Sequence, residues 1–303
     1  MVQSSENINI LVTGGSGQIG SDLKSIKHSE NLNLFFPDSE TFNLLNKKTM
    51  MSFFENNKVD LILNLAAYTE VDNSEKNKVF CREVNLEGVI TLGKIAKERD
   101  IGFIQVSTDY VFGNDNSGIR NINDVHQPLN YYGKIKSEAE KFILRNSESN
   151  FVIRMASVFG LTGKNFVKTI VRLILDKKDL DIVSDQKISL TSSLQFSKNF
   201  SYIIDLYKEK IKSNDKIIHF TNKGYTNWYD VSIVIKNEME SLLNEKFKNN
   251  IRPISNKDWV SLAKRPDDSR LNVDFSELEN FNIFLPSWDS SVRDLVKEFL
   301  LKT

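Results

Sequence analysis

A short apolar run, Ile8-Asn9-Ile10-Leu11-Val12, leads straight into Thr13-Gly14-Gly15-Ser16-Gly17-Gln18-Ile19-Gly20. No other stretch restricts the fold so much. A strand that turns on glycines and then opens a helix is the first half of a βαβ unit. Glycines allow the tight turn, and without Cβ atoms they let backbone approach a pyrophosphate, whose charge a helix N-terminus favours. Gly14, Gly17, Gln18 and Ile19 are therefore candidate dinucleotide contacts. The steps of three from Gly14 to Gly17 to Gly20 differ by one residue from the common G-x-G-x-x-G spacing.

The strand-and-helix rhythm continues through the first half. Leu32 to Phe36, Val59 to Leu65, Phe103 to Val106 and Phe151 to Arg154 are predicted strands, with helical periodicity over Val79 to Arg99 and Tyr131 to Asn146. Such alternation predicts an α/β fold with a parallel sheet. Past residue 155 the rhythm loosens. Helices are expected over Asn165 to Leu175, Phe196 to Lys212, Trp228 to Leu243 and Ser287 to Leu301, with a strand over Lys216 to Phe220. With no repeat and no Pro- or Gly-rich linker, a smaller second domain packed over a cleft fits best. The expected division is a dinucleotide-binding domain over 1–155, to which some later segments return, and a mainly substrate-binding domain over 156–303.

Composition narrows the partners. Forty basic and forty acidic side chains cancel, so no field is expected to gather nucleic acid or an anionic membrane. No apolar run approaches the ~20 residues of a membrane span, and Met1 to Asn7 lack the features of a signal peptide. A cytoplasmic protein is expected. The single cysteine, Cys81, reads as a buried small hydrophobe. His28, His126 and His219 lack ligand spacing, so no metal is expected. Trp228 and Trp288 are expected in the core or at a domain contact.

Of the eight tyrosines, only Tyr132 has a lysine four residues later, Lys136. Four residues make one helical turn, so phenol and ammonium emerge on one face. Upstream lies Ser107-Thr108-Asp109-Tyr110-Val111-Phe112. Reducing a ketone needs a hydride and then a proton for the developing alkoxide. A tyrosine titrating near ~10 donates readily but needs help to be re-poised near neutrality, and a neighbouring ammonium together with the oxidised nicotinamide favours the phenolate. Thr108 would hold the carbonyl oxygen, Tyr132 would give the proton, and Lys136 would also bind the nicotinamide ribose. At the end of the second strand, Phe36-Pro37-Asp38-Ser39 has neither an acidic nor a basic residue where ribose recognition expects one. NADPH and NADH both remain open.

At this point the chain resembles the extended short-chain dehydrogenase/reductases, whose glycine spacing it shares, and within them the dTDP-4-dehydrorhamnose reductase family. The resemblance runs nearly end to end. Its elements are Asn64-Leu65-Ala66-Ala67-Tyr68-Thr69 with Val71-Asp72 and Glu75, the Ser-Thr-Asp-Tyr-Val-Phe run, and Pro128-Leu129-Asn130-Tyr131-Tyr132-Gly133 with Lys136. Further along come Asn165-Phe166 with Lys168-Thr169, Asp185-Gln186, Trp228-Tyr229-Asp230, and Arg265-Pro266 with Ser269 and Leu271. It implies a Rossmann-type doubly wound parallel sheet with a smaller α/β substrate-binding domain, and NAD(P)H-dependent reduction of the 4-keto group of a nucleotide-activated 6-deoxysugar. It also implies that Ala66, Ala67 and Asn85 line the cofactor groove. Asp109, Ser157, Asn165 and Arg265 would face the nucleotide sugar, in a monomer or homodimer.

The chain departs from that family where the sugar should sit. The family's Arg-Thr-Ser-Trp-Val-Tyr appears as Arg154-Met155-Ala156-Ser157-Val158-Phe159, and the family's Gly and Pro after Asp185-Gln186 appear as Ile188 and Leu190. Losing an indole removes an aromatic platform and leaves space for another shape. A reductase or epimerase acting on a different nucleotide sugar is the alternative. A dinucleotide-binding regulatory subunit without turnover is the second, and the intact Thr108, Tyr132 and Lys136 argue against it.

Overall fold

The computed structural model describes residues 7–113 and 118–302; the first six residues of the expected leaderless start lie outside them. Among the described residues ten strands are present: β1 (Ile8–Thr13), β2 (Leu32–Phe35), β3 (Leu61–Asn64), β4 (Gly102–Thr108), β5 (Asn150–Met155), β6 (Val158–Phe159), β7 (Leu180–Val183), β8 (Thr191–Ser192), β9 (Ile217–His219) and β10 (Ile251–Ile254). Six form one sheet in the order β2-β1-β3-β4-β5-β9, and every pairing in it is parallel. From β1 the chain steps outward to β2, then crosses back to β3 on the other side. That reversal opens a crevice beyond the C-terminal ends of β1 and β3, where α/β sheets bind ligands.

Both faces of this sheet are covered, which is why its strands read as continuous apolar runs. Ile10, Val12, Leu63 and Ile153 pack on one side with Leu23, Phe196, Phe200 and Ile203. Leu11, Ile62, Phe103 and Val152 point the other way, onto Leu92, Ile135, Ala139 and Ile143. Their alternation along each strand is the two-residue period of pleated backbone. A third cluster joins the helices Phe166–Leu175, Trp228–Leu243 and Trp288–Leu301 through Val171, Ile235, Met239, Val292 and Val296. Two small parallel pairs, β7 with β10 and β6 with β8, stand beside it. Among the described residues no helix is long and apolar enough to cross a membrane.

Two predicted helices are broken, each for a local reason. The Val79 to Arg99 segment is a helix over Lys78–Arg82, a π-helical turn over Glu83–Glu87 and a helix over Gly88–Glu98. The wider turn carries Asn85, whose Oδ1 accepts from Tyr68 N at 2.7 Å and whose Nδ2 donates to Tyr68 O at 2.9 Å. It also sets Gly88 where an added Cβ would meet Leu44 O at 2.9 Å. π-Turns recur where a side chain must be re-aimed. The Phe196 to Lys212 segment divides at Asn199, which ends Ser193–Lys198 and precedes Phe200–Ser213. The expected Lys216 to Phe220 strand is β9, and it joins the main sheet against β5, with Arg154 opposite His219.

Candidate active site

The glycine turn sits where β1 ends. Gly14 has a left-handed backbone, φ +68°, and a Cβ there would lie 2.7 Å from Ala66 N. No L side chain suits either condition. Gly17 N donates to Gly14 O at 2.9 Å, closing the turn, and the helix Gln18–Ser25 begins with no side-chain cap on its amides. Uncapped amides at a helix start, reached over a floor without Cβ atoms, can hold a dinucleotide pyrophosphate. Beneath lies a polar ladder absent from the sequence reading. Thr13 Oγ1 donates to Asn64 Oδ1 (2.5 Å), and Asn64 Nδ2 donates to Gln105 Oε1 (2.8 Å), all three side chains being buried. It ties the ends of β1 and β3 to the middle of β4 under the turn.

Thr108 is the last residue of β4, and its hydroxyl accepts from Tyr110 N, capping the turn Asp109–Val111. The helix Tyr131–Asn146 begins on Asn130, whose Oδ1 accepts from Gly133 N at 2.8 Å while its Nδ2 donates to Lys264 O at 2.9 Å. Side-chain oxygens at this position satisfy an orphan amide of the first turn. Gly133 lets the helix touch the turn after β4, since a Cβ there would stand 2.1 Å from Tyr110 O. Tyr132 is thereby brought beside Thr108, its ring edge-on to Tyr110 at 6.4 Å.

A cavity of about 530 Å³ joins the turn to this trio. Gly14, Gly17, Gln18, Ile19, Ala67, Thr108, Asp109, Tyr132, Lys136, Ser157 and Asn165 all line it. Three expected residues stand off it. Ala66 backs Gly14, Asn85 is buried beneath the loop holding Tyr68, and the Arg265 guanidinium binds Asp72 through Nη1 (3.2 Å) and Nη2 (2.7 Å). Asn165 reaches the cofactor side, donating to Gln18 Oε1 at 2.8 Å. Of the altered positions, Met155, Ser157 and Leu190 line the cavity, whereas Ala156 and Ile188 are packed in apolar clusters. Trp228, expected in the core or at a domain contact, packs on the third cluster and also lines the cavity beside Phe166, their rings 4.5 Å apart. Glu70 lines it too, and nothing in its sequence context marked it.

Electrostatics in the pocket are governed by burial. Burial raises the Tyr132 phenol above its ordinary range, with Asp109 adding to the effect. Burial outweighs the lowering expected from a lysine one turn away, whose Nζ donates to Val106 O at 2.7 Å. The phenol is therefore held protonated, as a proton donor must be. Burial pulls Lys136 down to about 8, opposed by Glu140, and pushes Asp109 up to about 6. Thr108 Oγ1 donates to Asp109 Oδ1 at 2.9 Å and accepts from Tyr110 N at 3.2 Å, with the Tyr132 phenol beside it.

A family model described as the RmlD substrate binding domain matches residues 8–301. The chain is 32% identical over 295 residues to the dTDP-4-dehydrorhamnose reductase of Aggregatibacter actinomycetemcomitans, covering 94% of this chain and 97% of that one. A crystal structure of a dTDP-4-dehydrorhamnose reductase from Clostridium acetobutylicum superposes with a TM-score of 0.85 at 27% identity, over 98% of this chain and 100% of that one. A Bacillus anthracis dTDP-4-dehydrorhamnose reductase, solved in complex with NADP, shares the fold at 24% identity and a TM-score of 0.82, over 98% and 100%.

Proposed function

The chain belongs to the RmlD substrate binding domain family, and from that premise we propose that it is an NAD(P)H-dependent oxidoreductase reducing the 4-keto group of dTDP-4-dehydrorhamnose. The observation that carries this reading is the convergence of Thr108, Tyr132 and Lys136 on the same cavity as Gly14 and Gly17. NADPH or NADH would lie on the glycine turn, with Gln18, Ile19, Ala66 and Ala67 about it and Asn85 supporting the loop beyond. When bound, the nicotinamide supplies the hydride that turns the keto carbon into an alcohol carbon. The Thr108 hydroxyl, turned from Asp109 when substrate enters, donates to the keto oxygen, and the buried Tyr132 phenol gives its proton to that oxygen as charge develops. The Lys136 ammonium then faces the phenolate left behind, in a site where water screens little.

Asp109, Ser157 and Asn165 would meet the sugar side, and Arg265 would meet the nucleotide once Asp72 releases it. In this reading residues 1–155, joined by β9, hold the cofactor and 156–303 mainly hold substrate, in a cytoplasmic monomer or homodimer. A second reading, a reductase or epimerase of another nucleotide sugar, is favoured by Ser157, whose small side chain and left-handed backbone (φ 43°) leave that wall open.

The test is NADPH oxidation with dTDP-4-dehydrorhamnose beside CDP-, UDP- and GDP-linked 4-keto sugars. Turnover confined to the dTDP compound supports the first reading, and turnover confined to another supports the second. Tyr132→Phe should lower kcat by about 10²–10⁴-fold and leave the cofactor Kd unchanged. A near-normal rate in that variant would overturn the role given to Tyr132.

A further inference from the structure

Tyr132, Lys136 and Glu140 stand at steps of four on one helix and share its buried face. Glu140 has no exposure and does not line the cavity. Its carboxylate accepts from Ser107 Oγ at 2.7 Å and from Arg154 Nε at 3.0 Å, with Arg154 Nη2 closing the pair. Arg154 is otherwise consumed. It donates to Ile122 O (2.8 Å), to His126 Nε2 (2.9 Å) and to His219 Nε2 (3.3 Å). The far nitrogens of those rings meet Ser137 Oγ (2.8 Å) and Asn272 O (2.9 Å). Ser107 immediately precedes Thr108, so the carboxylate ties the strand end bearing Thr108 to the helix bearing Tyr132 and Lys136.

We propose that Glu140 is a positioning residue that keeps the Lys136 ammonium charged and aligned while Tyr132 gives up its proton. The role rests on the reduction proposed above. Lys136 faces Tyr132 and Glu140 on its own helix and Cys81 from Lys78–Arg82; Arg154 from β5 and His126, its Nε2 3.4 Å from Oε1, stand on the Glu140 carboxylate, with Asp109 beyond the phenol and His219 behind the guanidinium. Burial disfavours the ammonium, and Glu140 is the chief group offsetting it, ahead of Cys81. Without the carboxylate, the buried ammonium would lose the chief group that offsets its desolvation.

Competitive acetylation of the full-length protein with acetic anhydride between pH 6 and 10, read by mass spectrometry of the Lys136 peptide, reports this amine without turnover. Wild type should be half-reactive near pH 8. Glu140→Gln should move that midpoint down far enough for the unprotonated fraction at pH 7 to rise more than about fivefold. Glu140→Asp, which keeps Arg154 paired but draws the charge back by one methylene, should fall between, and the alkaline limb of kcat should shift in the same order. A wild-type midpoint in both variants overturns the proposal. Should the Gln variant not fold, the midpoint of the Asp variant decides alone. A shifted midpoint in the variants beside a wild type that reduces no 4-keto sugar would sink the proposed function instead.

Discussion

Asp109 shows how a single side chain can trade stability for chemistry. Burial holds its carboxyl near 6, so at pH 7.5 the folded protein carries an ionised group where a neutral one would fit better. A raised carboxyl takes up its proton more readily folded than unfolded. The penalty is absent below the unfolded value and fully present above 6, and a shift of about two units is worth on the order of 3 kcal/mol. Asp109→Asn removes that charge but introduces an amide needing an acceptor, which returns roughly 1–3 kcal/mol. The variant should be the more stable protein at pH 7.5, with a Tm up by a few degrees, and show no gain at pH 4. Turnover should fall, since Thr108 loses an ionised partner. A lower Tm at pH 7.5 would refute this view of the residue.

At the scale of elements, the site depends on one contact between the start of the helix Tyr131–Asn146 and the turn after β4. Gly133 makes that contact possible, and Tyr110 O occupies the space a Cβ would need. Gly133→Ala must part helix and turn by roughly an ångström, a displacement that can cost about 10² in rate when reacting groups are misplaced. Kinetics of this variant should show kcat falling far more than cofactor affinity, because the glycine turn at Gly14 and Gly17 lies on other elements. An equal loss of both would mean that the fold itself had failed. The helix was legible from periodicity, and its limits agree with the predicted Tyr131 to Asn146. The π-turn over Glu83–Glu87 was not, since it exists to let Asn85 bind the backbone of Tyr68, 17 residues away in sequence. Local pattern cannot report a partner that only the folded chain supplies.

Over the whole molecule, three buried groups set the response to acid. Burial lowers His219 to about 4, so its contribution is present above 6.5 and lost as pH falls towards 4. Asp109 has the opposite sign and restores a similar amount between 6 and its unfolded value. The two nearly cancel, at on the order of 3 kcal/mol each. Glu140, held at about 2 mainly by His126 and Arg154 against its burial, is lost only below 4.5. Urea unfolding should therefore give a nearly level stability from pH 7 to about 5 and a steep fall below 4.5. In Asp109→Asn the decline should begin near 6.5, because the compensating group is gone. A wild-type curve already falling steeply at pH 6 would contradict this balance.

Sequence alone determined the glycine turn after the first strand, the parallel α/β alternation, and the Tyr132–Lys136 step, because each is a pattern within a few residues that backbone geometry converts directly into shape. Tertiary structure decided what surrounds them. It drew His126 and His219, 93 positions apart by their numbers, onto one guanidinium, set Trp228 at the cavity, and fastened Arg265 to Asp72. It also set burial against the ammonium at the phenol, and burial is a property of every element packed around a group that no spacing along the chain encodes.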